Sequence, residues 1–136
     1  MSRATPQIRE LAARLIAYER REGQAIEPKI PAAFQVCEKL RPHLATLMGK
    51  AGFQAVLARA LAVASGEAPW LAAVQVQADG SLAGWDKPEV PAAPKVLTES
   101  GVLLVAQLLG LLIAFIGDNL TLRLVREVWP TLPLED

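Results

Sequence analysis

Residues 101–117 read GVLLVAQLLGLLIAFIG and contain no charged side chain and only one polar side chain, Gln107. A helix that is apolar on every face either crosses a membrane or is buried inside protein. At a rise of ~1.5 Å per residue, this segment is ~26 Å long as a helix, which is short for a hydrocarbon core of ~30 Å. Lys95 and Glu99 precede it and Asp118 follows it, with no clear bias of Lys and Arg between the two sides. The sequence therefore favours a helix buried in a protein core or interface, with a membrane span as the alternative.

The composition of the chain suits close-packed helices. Hydrophobic residues make up 52% of the 136 residues but aromatic residues only 5%, so Ala, Leu and Val dominate the apolar content. This length is typical of one domain with its own core. Lys plus Arg number 14, as do Asp plus Glu, so no net charge attracts nucleic acid or an anionic membrane. We expect a single, mainly all-α domain that does not bind nucleic acid.

Helical periodicity predicts three helices in residues 1–68. The first has Thr5 as its N-cap and Pro6 at its first position. The second contains Pro42 and ends before Gly49; because its apolar spacing keeps phase across the proline, we predict one kinked helix or two abutting helices. The residues predicted to face inward are Ile8, Leu11, Leu15 and Tyr18 in the first helix, Phe34, Cys37, Leu40, Leu44 and Leu47 in the second, and Phe53, Val56, Leu57, Ala60, Leu61 and Ala64 in the third.

Residues 69–95 are predicted to form a β-hairpin and a proline-rich connector. Apolar and polar residues alternate across 72–78, and the following Asp-Gly pair at 79–80 is a strong signal for a two-residue type I′ turn. A helix that begins at Pro69 is the alternative. The turn predicts the cross-strand pairs Val76–Ala83 and Val74–Trp85. Three prolines recur every third residue, as in a polyproline II helix, and indicate a stiff connector rather than a groove ligand: Pro88, Pro91 and Pro94.

The remainder, residues 96–130, is predicted to be one long helix. Thr98 can cap its start, nothing inside it breaks a helix, and Pro130 supplies the stop. Its second half is amphipathic, whereas its first half is apolar all round. The chain is therefore expected to be one domain, 1–136, folded as a bundle of about four helices with a long C-terminal helix and a small β-hairpin insertion.

Small residues form a stripe on the predicted long helix at spacings of four, four and three: Ala106, Gly110, Ala114 and Gly117. Such a stripe lets another helix approach closely. Three shorter helices can hardly cover a helix that is apolar on every side, so a second copy of the chain is a reasonable partner. We expect these four residues to form a helix-packing interface, and the protein to be a homodimer.

Residues that carry chemistry are sparse. Cys37 and His43 are the only cysteine and histidine, and a separation of six residues puts them on different sides of a helix, which excludes a local metal pair. The GKAG sequence at 49–52 lacks the pattern of a phosphate-binding loop, and no Ser-His-Asp order or paired-carboxylate motif stands out. We expect no metal, no cofactor and no enzymatic activity. A ligand pocket between helices stays open as an alternative, with these candidate polar groups: Glu99, Asp118, His43 and Arg123.

Three stretches, GFQAVLARALAVA, PWLAAVQVQADGSL and VAQLLGLLIAFIGDNLTLRLVREVWP, resemble a group of small uncharacterised bacterial proteins. The resemblance covers roughly residues 35–130. It implies no activity, cofactor or partner.

The interpretation that follows is a non-enzymatic helical interaction or regulatory module, dimeric and able to bind another protein. A single cysteine suits a reducing compartment, and the N-terminus has no apolar run of the kind found in a secretory signal, so we expect a cytoplasmic location. The alternatives are a small membrane protein anchored by residues 101–117 and a small-ligand-binding helical protein.

Overall fold

The computed structural model describes residues 5–22, 32–84 and 94–131. Its fold is mainly helical with a two-stranded antiparallel hairpin, as the sequence predicts. The helices are α1 (Pro6–Glu22), α2 (Ala32–Met48), α3 (Lys50–Ser65), a short 3-10 helix (Pro69–Ala73), α4 (Pro94–Ile116) and α5 (Asp118–Val128), and the strands are β1 (Gln75–Val76) and β2 (Leu82–Ala83). Pro88, Pro91 and most of the predicted connector lie outside the described residues, while Pro94 is the first residue of α4.

Helix α4 is the centre of the bundle. It packs against α1, α2 and α3, and every residue from Leu104 to Leu112 is buried. Among the described residues, Lys95–Ile116 is the one helix long and apolar enough to cross a membrane, and 61% of its most apolar 18-residue window is buried by the rest of the chain. A helix that is surrounded by three others needs apolar residues on all of its faces, which explains why residues 101–112 lack a polar stripe.

The prediction of one long helix over 96–130 is wrong, because the chain bends at Gly117. Helix α4 begins at Pro94, before the expected cap Thr98, and ends at Ile116. Gly117 has φ 87° and ψ 160°, a backbone conformation that only glycine adopts without strain. Its N–H donates to the Ile113 carbonyl at 2.9 Å and its carbonyl accepts from the Thr121 N–H at 3.2 Å. The chain therefore changes direction while the bend residue keeps its backbone hydrogen bonds, and the described residues contain five α-helices, α1 to α5, in the mainly α fold that the sequence predicts.

A glycine with the same backbone conformation joins α2 to α3. Gly49 has φ 83° and ψ 158°, donates to the Ala45 carbonyl at 2.9 Å and accepts from the Phe53 N–H at 3.0 Å. The connection between α2 and α3 is thus a single glycine. We call Gly49 and Gly117 the corner glycines.

Most of the predicted inward faces are confirmed. All six residues predicted to face inward in α3 are buried, and α2 continues through Pro42 as one helix. Thr5 caps α1, with its hydroxyl accepting from the Ile8 N–H at 3.3 Å. Leu47 is the exception: it is 48% exposed at the end of α2, because none of the described elements covers it.

The hairpin forms with a register one residue away from the predicted one. The observed pairs are Gln75–Ala83 and Val76–Leu82. The Gly80 N–H donates to the Gln77 carbonyl at 2.9 Å, the Gln77 N–H donates to the Ser81 carbonyl at 2.7 Å, and of the turn residues only Gly80 has positive φ. This is a type I turn followed by a left-handed glycine, instead of the type I′ turn. The Asp79 carboxylate accepts from both the N–H and the hydroxyl of Ser81, which fixes this turn and lowers the pKa of Asp79.

Replacement of Gly80 by alanine should destabilise the protein by about 2 kcal/mol, because it combines an unfavourable positive φ with a steric overlap. A Cβ at this position would lie 2.9 Å from the Phe53 ring and 3.2 Å from Cδ of Arg41. Urea unfolding followed by circular dichroism measures the change. Gly66→Ala is the matched control, because Gly66 has ordinary helical angles, φ −65° and ψ −28°. Equal effects of the two substitutions would contradict the observed turn.

Candidate functional site

An open groove with a volume of about 520 Å³ lies between the C-terminal half of α2 and α5. We call it the α2–α5 groove. The residues that line it are Pro42, His43, Thr46 and Leu47 from α2 and Leu120, Arg123, Leu124 and Glu127 from α5. It is apolar at its base, where Leu124 is 8% exposed, and its sides carry both apolar and polar side chains.

The part of α2 that lines the groove is the turn that begins at Pro42. Proline has no backbone N–H, so the helix loses one hydrogen bond there. The Thr46 hydroxyl donates to the Pro42 carbonyl at 3.0 Å, which ties this side chain back to its own helix. All four groove residues of α2 are exposed, so a partner could contact each of them: Pro42, His43, Thr46 and Leu47.

Helix α5 forms the other wall of the groove, because the bend at Gly117 places it next to α2. Thr121, Leu124 and Val125 face the bundle and are buried, and the Thr121 hydroxyl donates to the Gly117 carbonyl at 2.7 Å. The side of the helix next to Leu124 carries Leu120, which is 37% exposed, and the charged groove residues. The bend therefore converts the second half of the predicted long helix into an amphipathic wall of the groove.

The groove carries one cation and one anion. Arg123 and Glu127 lie one helical turn apart on α5, and both are exposed. Within the part of the chain that the structure describes, neither they nor His43 form a side-chain hydrogen bond or an ion pair. No group of His, Cys, Asp or Glu that could hold a metal ion occurs among the described residues.

Of the four polar residues predicted for a ligand pocket, the structure brings two together. His43 and Arg123 line the same groove although they are far apart in the sequence. Glu99 does not line it: this residue is exposed in the N-terminal part of α4, ~26 Å along the helix axis from Ile116. Asp118 is exposed at the start of α5 and does not line the groove either.

The predicted stripe of small residues does not form one surface. Ala106 and Gly110 are buried inside the bundle, whereas Ala114 and Gly117 are exposed. Another close helix approach in α4 lies at Gly101, where a Cβ would come 2.7 Å from the Cβ of Ala33 in α2. Sequence reasoning missed this contact because a single glycine in an apolar run carries no spacing signal.

Exposed apolar side chains mark the end of the bundle where the groove lies. Among the described residues, the large apolar side chains that stay exposed are Leu47, Val96, Phe115 and Leu120. All except Val96 lie within three residues of a corner glycine. Leu47 and Leu120 both line the groove, so the two corners lie at the same end of the bundle. In the sequence, this surface is marked only by the two corner glycines. Gly49 precedes α3, which is rich in small residues, and Gly117 precedes α5, which is amphipathic.

A second cavity, of about 390 Å³, lies between α3 and the strand β1. Its polar side chains among the described residues are Gln54, Ser65 and Gln75, and none of them ionises. It offers hydrogen-bonding groups but no acid, base or nucleophile.

The reactive side chains inside the bundle have structural roles. Burial raises the pKa of the Cys37 thiol to about 12, so the nucleophilic thiolate is suppressed at neutral pH. Glu19 is 2% exposed and accepts from Nε1 of Trp129 at 2.8 Å, and Nζ of Lys39 lies 2.6 Å from the same oxygen. These contacts join α1 to α2 and to the end of α5, away from any cavity described above.

No protein-family model, curated protein or solved structure matches the chain. The functional interpretation therefore depends on the fold and on the α2–α5 groove.

Proposed function

We propose that the protein is a non-enzymatic helical interaction module that binds protein through the α2–α5 groove. The observation that carries the proposal is that three of the four large apolar side chains exposed among the described residues, Leu47, Leu120 and Phe115, lie at the groove end of the bundle, and two of them line the groove. Single exposed apolar residues are ordinary on soluble proteins, but a cluster beside a groove is typical of an interaction site. A groove with an apolar base between two helices is the surface that an amphipathic helix binds.

The two alternatives have less support. A small-molecule pocket usually encloses most of its ligand, whereas the α2–α5 groove is open and its polar side chains are exposed. A membrane anchor at 101–117 would need lipid-facing apolar residues, whereas residues 104–112 are covered by the chain's own helices. We therefore propose a cytoplasmic protein that acts through contacts with other proteins.

Peptide selection tests the proposed function even though the partner is unidentified. A phage-displayed random peptide library is panned on the folded protein, and enriched peptides are titrated while amide shifts are recorded. We expect amphipathic helical sequences whose binding shifts amides in 42–47 and 120–127.

Leu120→Glu should abolish peptide binding because it replaces an apolar side chain of the groove wall with a charge. Val96→Glu is the matched control, since Val96 is 40% exposed, close to the 37% of Leu120, but lies at the other end of α4. Amide shifts that cluster at the cavity between α3 and β1, or equal loss of binding in both variants, would overturn the proposal.

A further inference from the structure

The end of the bundle that carries the α2–α5 groove also carries an exposed apolar side chain. Phe115 is 66% exposed, two residues before the corner glycine Gly117, and it does not line the groove. Leu120, three residues after that glycine, does line it. The same corner thus contributes an exposed aromatic ring and one wall of an apolar recess, and no described part of the chain covers either of them.

The charges on this surface are self-complementary. In a two-fold dimer the same patch meets itself, so a patch of one sign repels its copy, whereas a patch with both signs can pair with it. Arg123 and Glu127 place one charge of each sign on the same wall of the groove, without an ion pair between them. Two copies related by a two-fold axis would let each Arg123 approach the Glu127 of the other.

We propose that the occupant of the α2–α5 groove is a second copy of the same chain, in a two-fold dimer in which Phe115 of each copy enters the groove of the other. This inference rests on the proposed function and names its partner. Aromatic side chains seated in a recess are the usual anchors of such interfaces, and opposite charges at the rim set the relative orientation of the copies.

Sedimentation equilibrium tests the inference with three proteins: the wild type, Phe115→Ser and Val96→Ser. We expect the wild type to dimerise and Phe115→Ser to weaken the dimer by about tenfold or more, as removal of an interface anchor does. Val96→Ser, which removes an exposed apolar side chain away from the groove, should dimerise as the wild type does. Both positions are exposed, so circular dichroism should show each variant to be folded.

Cysteine pairing then tests the geometry. Ala114→Cys, at the exposed position next to Phe115 in the sequence, and Thr46→Cys, carried on chains with different tags, should form a mixed disulfide under mild oxidation faster than either variant does alone. Cys37 does not compete because it is buried. Val96→Cys mixed with Thr46→Cys is the control and should give only slow, random pairing.

The outcomes separate this inference from the proposed function. If the wild type is a monomer, or if Phe115→Ser leaves the dimer intact, the groove is not occupied by a second copy and this inference is wrong. If selected peptides still bind the groove in that case, the proposed function stands and the partner is a different protein. If neither peptides nor a second copy bind the groove, both proposals fail.

Discussion

Replacement of Glu19 by alanine should lower the free energy of unfolding by about 2–3 kcal/mol, the effect expected when a buried donor loses its charged acceptor. Glu19 is 2% exposed and bonds to two groups, Nζ of Lys39 and Nε1 of Trp129. The substitution leaves the indole N–H of Trp129, a residue that is 1% exposed, without its acceptor. Thermal or urea unfolding at neutral pH measures the loss.

Glu10→Ala is the control for the Glu19 substitution. Glu10 is in the same helix and pairs with Arg14 at 2.8 Å, but its side chain is 66% exposed. An exposed pair at this spacing contributes only about 0.3–0.5 kcal/mol. Glu19→Gln keeps an acceptor for Trp129 and should fall between the two. Similar losses for Glu19→Ala and Glu10→Ala would show that the Glu19 cluster does not hold the bundle together.

Replacement of Gly101 by leucine should destabilise the protein by about 3 kcal/mol or more, at or above the upper end of overpacking effects. Even a Cβ at this position would lie 2.7 Å from the Cβ of Ala33 and 3.5 Å from Cδ1 of Ile16. The helix itself favours the change, because glycine is about 1 kcal/mol worse than alanine in a helix interior. A net loss in urea unfolding therefore reports the steric contact among α1, α2 and α4.

A double-mutant cycle isolates this contact. Gly101→Ala should destabilise the protein, and Ala33→Gly should recover much of that loss because it removes the facing Cβ. Gly52→Ala is the control: Gly52 is also helical, but a Cβ there would meet the side chain of Met48 at 3.3 Å, which can shift. A stabilised Gly101→Ala variant, or additive effects with Ala33→Gly, would mean that α2 and α4 do not approach as closely as described.

The parts of the fold that could be predicted depend on local periodicity. The inward face of α3 follows from spacing alone, and the N-cap at Thr5 follows from one hydroxyl before a proline. The parts that could not be predicted depend on single residues whose conformation the sequence leaves open. Gly117 reads as one more small residue in a helix, yet its φ of 87° ends α4 and begins α5.

The hairpin shows the same limit. The Asp-Gly pair correctly predicts a turn, but either a two-residue or a longer turn satisfies that signal. The choice is made by the Asp79 carboxylate, which accepts both hydrogen bonds from Ser81 and fixes the longer turn. The register of both strands shifts by one residue as a result.

The groove combines residues that no local pattern connects. In the sequence His43 and Arg123 are isolated polar residues, and they share a surface because Gly117 folds α5 back onto α2. Periodicity predicts a buried Leu47 because this residue keeps the helical phase of α2; its exposure depends on where the neighbouring helices end. Tertiary placement of this kind is what periodicity cannot supply.

The chain's own helices cover residues 104–112 of the apolar segment, and this covering separates an interaction module from a membrane anchor. Cells that produce the protein are lysed without detergent, the lysate is centrifuged to remove membranes, and the pellet is washed with alkaline carbonate. We expect the folded protein in the supernatant, since α4 has its apolar faces packed against α1, α2 and α3. Retention of the protein in the carbonate-washed membrane pellet would contradict this and would make residues 101–117 a lipid-facing segment.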